Sequence, residues 1–216
     1  MSDIRAFVKN TSVGRAGDGT LAGLRMTPDG ALYVAQYPLS ASIEGRLFGC
    51  HWGTVTTPLA TPATTAIVAA RPQAWIRVPD GTMIIPLNLE ITVESTGITT
   101  QGEISVAIAQ NDVGIGTSAA GTSGIIALNT AALVTSNCSH RQLATADVTA
   151  ETSLLELIRF SFAASAVDQA RSWNAARTQV WPVLRGPASF LIYIGGNAVN
   201  FYAQAQFIEV TEASIA

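Results

Sequence analysis

Two cysteine–histidine neighbourhoods carry the residue types best suited to chemistry: Cys50-His51, and Cys138 with His140 in Asn137-Cys138-Ser139-His140. Four such donors are the set a tetrahedral zinc ion takes. The spacing argues against that use, because adjacent residues on a strand point to opposite faces and Cys50 and His51 would not share one ion. The expectation is a buried Cys50, an exposed His140, and no metal or other cofactor. Nucleophilic catalysis needs a base beside Ser or Cys and a group that orients the base. Only His51 and His140 are available as that base, and neither lies in a nucleophile motif. Glu90 and Glu94, four apart on a strand, would stand about 13 Å apart on one face. Paired glycosidase carboxylates lie roughly 5–9.5 Å apart, so a solvated strand face is the better reading. The glycine-dense run from Gly14 through Gly17 to Gly19 lacks the strand-then-helix setting and the lysine of a phosphate cradle, and reads as turns. No catalytic residue emerges, and the chain is expected not to be an enzyme.

The tryptophans and arginines point elsewhere. Trp75 lies in a strand and belongs to a core. Trp173 has Arg171 and Arg177 nearby, and Trp181 precedes Pro182. Aromatic plus Arg is the composition of interface hot spots, and a sugar-binding platform would draw on the same residues. The candidate interface set is Arg171, Trp173, Arg177 and Trp181, joined by Arg5, Phe7, Arg25, Tyr33 and Tyr37 from the N-terminal region.

Composition supports a surface that meets other protein. Charged residues make up 12% of the 216 residues, against about 25% in ordinary soluble domains. Mean hydropathy is positive at +0.32, a solubility liability for a free monomer. No run of about 18 apolar residues occurs, so no membrane partner is expected. A net charge of −3 gives no basic face for nucleic acid. Lys9 is the only lysine, and the remaining cations are arginines, which suit interfaces better. Two distant cysteines and an N-terminus without an apolar core segment point to synthesis in a reducing cytoplasm and to free thiols.

The elements that would position these residues are strands. Residues 1–45 are punctuated by Gly14, Gly17, Gly19, Gly23, Gly30 and Gly45 and read as an extended arm or small β unit; residues 46–216 read as the main domain. Strand signals follow at 46–55, 64–70 and 74–79. In 87–94, Leu87, Leu89, Ile91 and Val93 alternate with Asn88, Glu90, Thr92 and Glu94, the period of a half-buried strand. Pro79-Asp80-Gly81 reads as the turn of a hairpin joining 75–78 to 83–93. Residues 103–109 alternate again, 111–124 reads as a mobile loop, and 152–162 reads as a strand with Glu156, Ile158, Phe160 and Phe162 on one face. Residues 163–177 read as a helix or a long loop. Residues 189–194 and 201–210 flank Gly195-Gly196-Asn197 as a closing hairpin. Eight or nine strands with at most one short helix, and no internal repeat, make a Greek-key sandwich.

The text WIRVPDGTMIIPLNLEITVES with EISVAIAQN, between Trp75 and Asn111, resembles jelly-roll structural proteins of tailed-phage virions. GDGTLAGLRMTPDGALYVAQYP is similar to N-terminal segments of such proteins, and FLIYIGGNAVNFYAQAQFIEV to their last hairpin. The resemblance implies an all-β, jelly-roll-like antiparallel sandwich of about eight strands with an extended N-terminal β arm. It also implies a capsid, decoration or tail-associated subunit of a bacteriophage particle, assembled in the host cytoplasm. Its partners would be further copies of itself, as a trimer or higher, and other virion proteins. A receptor- or glycan-binding module is the alternative.

Overall fold

The alternating segment is one long strand, β4 (Thr82–Val93), and the side chains it buries define the interior. Leu89, Ile91 and Val93 point into the core with Ile84. Leu87 does not join them. The register with its neighbour shifts between Gln206 and Phe207, leaving Leu87 as the extra residue of a β-bulge and turning it to the outer face.

The computed structural model describes residues 37–54, 56–61, 66–94, 101–114, 118–121, 124–131, 134–143, 148–149, 154–163, 168–196 and 199–211. The arm strands expected before residue 37, with Arg5, Phe7, Arg25 and Tyr33, lie outside these residues. Residues 37–43 of the expected arm are helical: α1 (Tyr37–Ile43) carries Pro38 in its first turn, where the lost N–H costs nothing, and ends before Gly45 at φ 72°.

The other strands are β1 (Leu47–Trp52), β2 (Leu59–Ala60), β3 (Ala74–Val78), β5 (Gly102–Ala109), β6 (Ala119–Ala120), β7 (Ile126–Ala127), β8 (Ser139–Gln142), β9 (Leu155–Phe162), β10 (Gln169–Asn174), β11 (Leu184–Arg185), β12 (Ala188–Gly195) and β13 (Asn200–Thr211). One helical turn, α2 (Ala175–Thr178), follows β10. The first sheet runs β10-β4-β13-β1-β7, with β11 also on β4 and β2 also on β13; the second runs β6-β8-β3-β12-β5-β9. All pairings are antiparallel. Among the eight principal strands, β1 pairs with β13, β3 with β12, β4 with β10, and β5 with β9. First pairs with last, second with seventh, third with sixth, fourth with fifth. A long antiparallel ribbon wound into two facing sheets in this nested order is a jelly roll.

Two expected hairpins are corrected by this topology. β3 lies in the second sheet between β8 and β12, whereas β4 lies in the first between β13 and β10. Pro79-Asp80-Gly81 is therefore a corner that carries the chain from one sheet to the other. Gly81 takes φ 73°, and Thr82 N–H donates to the Pro79 carbonyl at 3.2 Å. Gly195 and Gly196 likewise leave the second sheet for β13 in the first, so the closing pair is also a corner. Turn residues encode a reversal; they do not encode which strand becomes the neighbour.

Three further expectations change. Within 163–177 the chain forms strand β10 and then a single helical turn. Pairing of 169–174 along 88–93 and burial of Trp173 override the modest helix preference of Ala, Gln and Arg. Residues 66–70 of the candidate strand 64–70 form no strand; Ile67 instead packs on the outer face of the second sheet. The described parts of 111–124 are fastened: Val113 is buried, Asp112 binds Arg77, and β6 pairs with β8.

Between the sheets lies one large core built on Trp52, Trp173, Phe48, Phe162, Phe190, Phe201 and Phe207. Trp52 Nε1 donates to the Arg141 carbonyl at 2.8 Å and ties β1 to β8 across the sandwich. Two satellite clusters cover the outer faces. Ala41 of α1 packs on Ile208 and Val210, with Leu47, Ile85 and Leu87 around them. On the second sheet Trp75, Leu191 and Tyr193 are covered by Val113, Val148, Ile67 and Leu154. Trp75 is thus buried as expected, but beneath loops rather than between the sheets.

Candidate interaction surface

The first sheet ends in two edges, and both expose large apolar side chains. Beyond α2 the chain runs over Val180, Trp181 and Val183 before entering β11, which lies on the same side of β4 as β10. Trp181 is 47% exposed and Val183 55% exposed. Pro182 has no N–H for a ladder, so this stretch is kept out of the sheet while its side chains stay outside the core. At the other edge, Ile126 of β7 and Leu128 just after it are exposed, Ile126 at 57%. Leu128 lies over Gly49, where a Cβ would sit 3.1 Å from its Cδ2. Ile126 and Leu128 rim a shallow groove of about 210 Å³ on the outer face of β1 and β13.

The expected interface residues divide. Trp181 is exposed. Arg171 on β10 and Arg177 on α2 meet at one groove with Phe160, Ser172, Asn174 and Thr178, enclosing about 440 Å³. Trp173 is not available to any partner: it is 1% exposed, points inward opposite Leu89, and lies against Phe190 with ring centroids 6.3 Å apart. On a strand, residues two apart share a face, but Arg171 sits at the open margin while Trp173 reaches the centre. Tyr37 opens α1. Val180, Val183, Ile126 and Leu128 were not singled out in the sequence. The signal for the first two was there in Val180-Trp181-Pro182-Val183, an apolar run that proline bars from a ladder.

The residues suited to metal or acid–base chemistry are dispersed. Cys50 points into the core and His51 to the outer face, where its ring stacks on Tyr202 and its Nδ1 lies 2.7 Å from the Gly53 carbonyl. His140 is buried, contrary to its expected exposure. It pairs with Ile76, faces inward, and meets the Trp52 ring edge-on at 5.8 Å. The reason is register: β8 lies between β6 and β3, so its inward residue is covered from both sides. Burial first, then the positive potential of His51 and Arg141, pushes its imidazole down to about 4. Burial likewise lifts the Cys50 thiol to about 12, and burial followed by the charge of Glu209 raises that of Cys138. These thiols are protonated and unreactive at neutral pH. Among the described residues no three His, Cys, Asp or Glu side chains cluster as a metal site. Glu90 is engaged instead with Asn88 and Gln204 on the outer face.

Charge on the second sheet is arranged for structure. Arg77 holds Asp112 bidentately, with Nε 2.7 Å from Oδ1. Burial alone would raise the Asp112 carboxyl, but the Arg77 and Gly114 hydrogen bonds bring it below its ordinary range. On the outer face of β9, Arg159 joins Glu156 at 2.8 Å and Glu103 at 3.1 Å. Glu156 was expected on the face of Ile158 and Phe160. A bulge between Val106 and Ala107 makes Leu157 the extra residue and brings Glu156 round to Arg159 and Ser105.

Comparison with protein-family models, with curated proteins and with solved structures yields no match to this chain.

Proposed function

We propose that this chain is a non-catalytic structural subunit of a bacteriophage particle, joining copies of itself edge to edge. The observation that carries the reading is the placement of Val180, Trp181 and Val183 on one edge of the first sheet and of Ile126 and Leu128 on the opposite edge. Unlike patches on opposite sides of one subunit make a heterologous contact, which propagates into a closed ring or a lattice. The low charge and positive hydropathy of the whole chain favour a subunit whose surface is finished by neighbours. Jelly rolls build viral shells but also lectin domains and cupins, so the edges rather than the fold support the assignment.

Mass photometry and negative-stain electron microscopy of the purified chain test it. Rings, shells or discrete oligomers are expected, and Trp181→Ser or Ile126→Asp each shifts the population towards the monomer. A monomer across the whole micromolar range, or an assembly indifferent to both substitutions, removes the reading. A second reading, a receptor- or glycan-binding module, is favoured by one feature, the groove shared by Arg171 and Arg177.

A further inference from the structure

The groove at the open margin between β9 and β10 is polar and cationic, in a chain whose net charge is negative. Its volume of about 440 Å³ suits a ligand of one to three sugar rings or a comparable small molecule. Typical ligand pockets enclose roughly 300–1,000 Å³.

Arg171 is held in place, and both arginines are left with donor capacity. Arg171 Nη1 donates to the Ala170 carbonyl at 2.9 Å, and Nη2 reaches the Ser161 carbonyl and Gln169 Oε1, both at 3.4 Å. These contacts engage at most three of its five N–H groups and bring no carboxylate to the guanidinium. The Arg177 guanidinium has no hydrogen-bond or ion-pair partner among the described residues. Its backbone N–H is taken by Asn174 Oδ1 at 3.1 Å, which orients the Asn174 side chain and leaves its amide nitrogen to donate outward. The Thr178 hydroxyl donates to the Asn174 carbonyl at 3.0 Å and keeps its lone pairs to accept. The Ser172 hydroxyl has no partner among the described residues. Phe160 contributes the one aromatic ring.

We infer that this groove binds a carboxylate-bearing saccharide. Two guanidinium groups with no carboxylate partner among the described residues form a site for an anion, and Arg matches the planar fork of a carboxylate. The hydroxyl and amide groups between them both donate and accept, the requirement for pairing with sugar hydroxyls. The apolar face of one sugar ring fits against Phe160. An acidic peptide would anchor through apolar side chains as well, and the lining offers only Phe160 and Ala170 for those. The inference is independent of the assembly reading, since it concerns the β9–β10 margin and not Trp181 or Ile126.

Isothermal titration of the full chain decides it, with trigalacturonate and sialyllactose as acidic probes, galactotriose and lactose as their neutral counterparts, and oligoglutamate as an acidic peptide. Saturable binding of at least one acidic saccharide is expected, with its neutral counterpart about tenfold weaker or worse. Arg177→Ala and Arg171→Ala should each weaken it about tenfold, the loss of one charge-assisted hydrogen bond. Arg171→Lys, which keeps the charge but not the fork, should recover only part. The mass of the assembled species should stay that of the unsubstituted chain, which separates this site from the assembly edges. Failure of both acidic saccharides, equal affinity for the neutral ones, binding that survives the Arg171→Ala/Arg177→Ala double substitution, or tighter binding of oligoglutamate would each overturn the inference.

Discussion

Glu209 Oε1, at the end of β13, accepts from both nitrogens of Asn137, the backbone N–H at 2.9 Å and Nδ2 at 3.0 Å, while Oε2 accepts from the Ser136 hydroxyl. This buried carboxylate fastens the segment that enters β8 onto the end of the first sheet. The Glu209 N–H donates in turn to the Arg46 carbonyl at 2.8 Å, so the start of β1 joins the same knot. Glu209→Ala removes the shared acceptor of three donors on the half-buried Ser136 and the exposed Asn137, and a hydrogen bond to a charged group is worth about 1.5–3 kcal/mol. The expected loss is about 3 kcal/mol in urea denaturation, with Glu209→Gln losing roughly half as much because one acceptor oxygen remains. Unchanged stability of both variants would show that the knot is dispensable.

His140 predicts a pH dependence whose sign follows from its burial. Among the described residues its Nε2 has no hydrogen-bond partner, the Trp52 ring meets it edge-on, and His51 and Arg141 are the charged groups that act on it. Folding lowers its pKa from 6.5 to about 4, so between these values the unfolded chain binds more protons than the folded one. The part of the stability linked to His140 is therefore complete above about pH 7, falls as pH drops through that window, and is fully lost below about pH 4. The shift corresponds to roughly 3 kcal/mol at full protonation of both states. His140→Leu should flatten the slope of unfolding free energy between pH 4 and 6.5, the range over which His140 titrates. A slope unchanged by the substitution would assign it to other groups.

The Arg77–Asp112 pair predicts a local effect. Asp112 also accepts from Gly114 N–H at 2.9 Å, so its carboxylate fixes the chain just after β5. Its lowered pKa means that this contribution is present at neutral pH and is lost as pH falls through the depressed folded value. Asp112→Asn is expected to cost about 1 kcal/mol globally, in keeping with a part-exposed ion pair. It should also speed proteolytic cleavage within 111–124 at neutral pH several-fold. Equal cleavage rates would mean that Val113 alone holds the segment.

Period-two patterns made the strands legible, and the same patterns concealed two irregularities. Phe201, Ala203, Ala205 and Phe207 share the inner face as their spacing predicts, because β13 contributes no extra residue. Leu87 and Glu156 depart from their predicted faces because one extra residue, Leu87 itself and Leu157, is inserted opposite an unbroken partner strand. A bulge is specified by the pairing of two strands, and neither strand announces it alone. Sheet membership was hidden for a related reason: β3 and β4 have both edges occupied by strands distant in sequence, so the turn between them could not become a hairpin. Of the candidate surface, Arg171, Arg177 and Trp181 were visible as an aromatic–arginine cluster. Trp173 belonged to the same cluster in sequence, and only its pairing opposite Leu89 consigns it to the core.

Two glycines separate backbone strain from steric exclusion: Gly81 at the corner between the sheets, and Gly121 after β6, beside His140. Gly81 takes φ 73° with nothing within 4 Å of the position a Cβ would occupy. Gly81→Ala therefore meets only the left-handed backbone penalty, about 1–2 kcal/mol, and Gly81→Asn should cost less because Asn tolerates that region. At Gly121 the conformation is not the obstacle: a Cβ there would lie 1.7 Å from His140 Nε2. Gly121→Ala has to displace the buried imidazole or the β6 strand that carries Ala119 and Ala120, and should cost more than Gly81→Ala. Because the displaced ring gains water, Gly121→Ala should also weaken the pH slope assigned to His140, whereas Gly81→Ala should leave it intact. Urea denaturation of the three variants across pH 4–7, spanning the shifted value of about 4, reads both effects together. A Gly121→Ala protein as stable as the parent, with the slope retained, would mean that β6 does not close over His140 in solution.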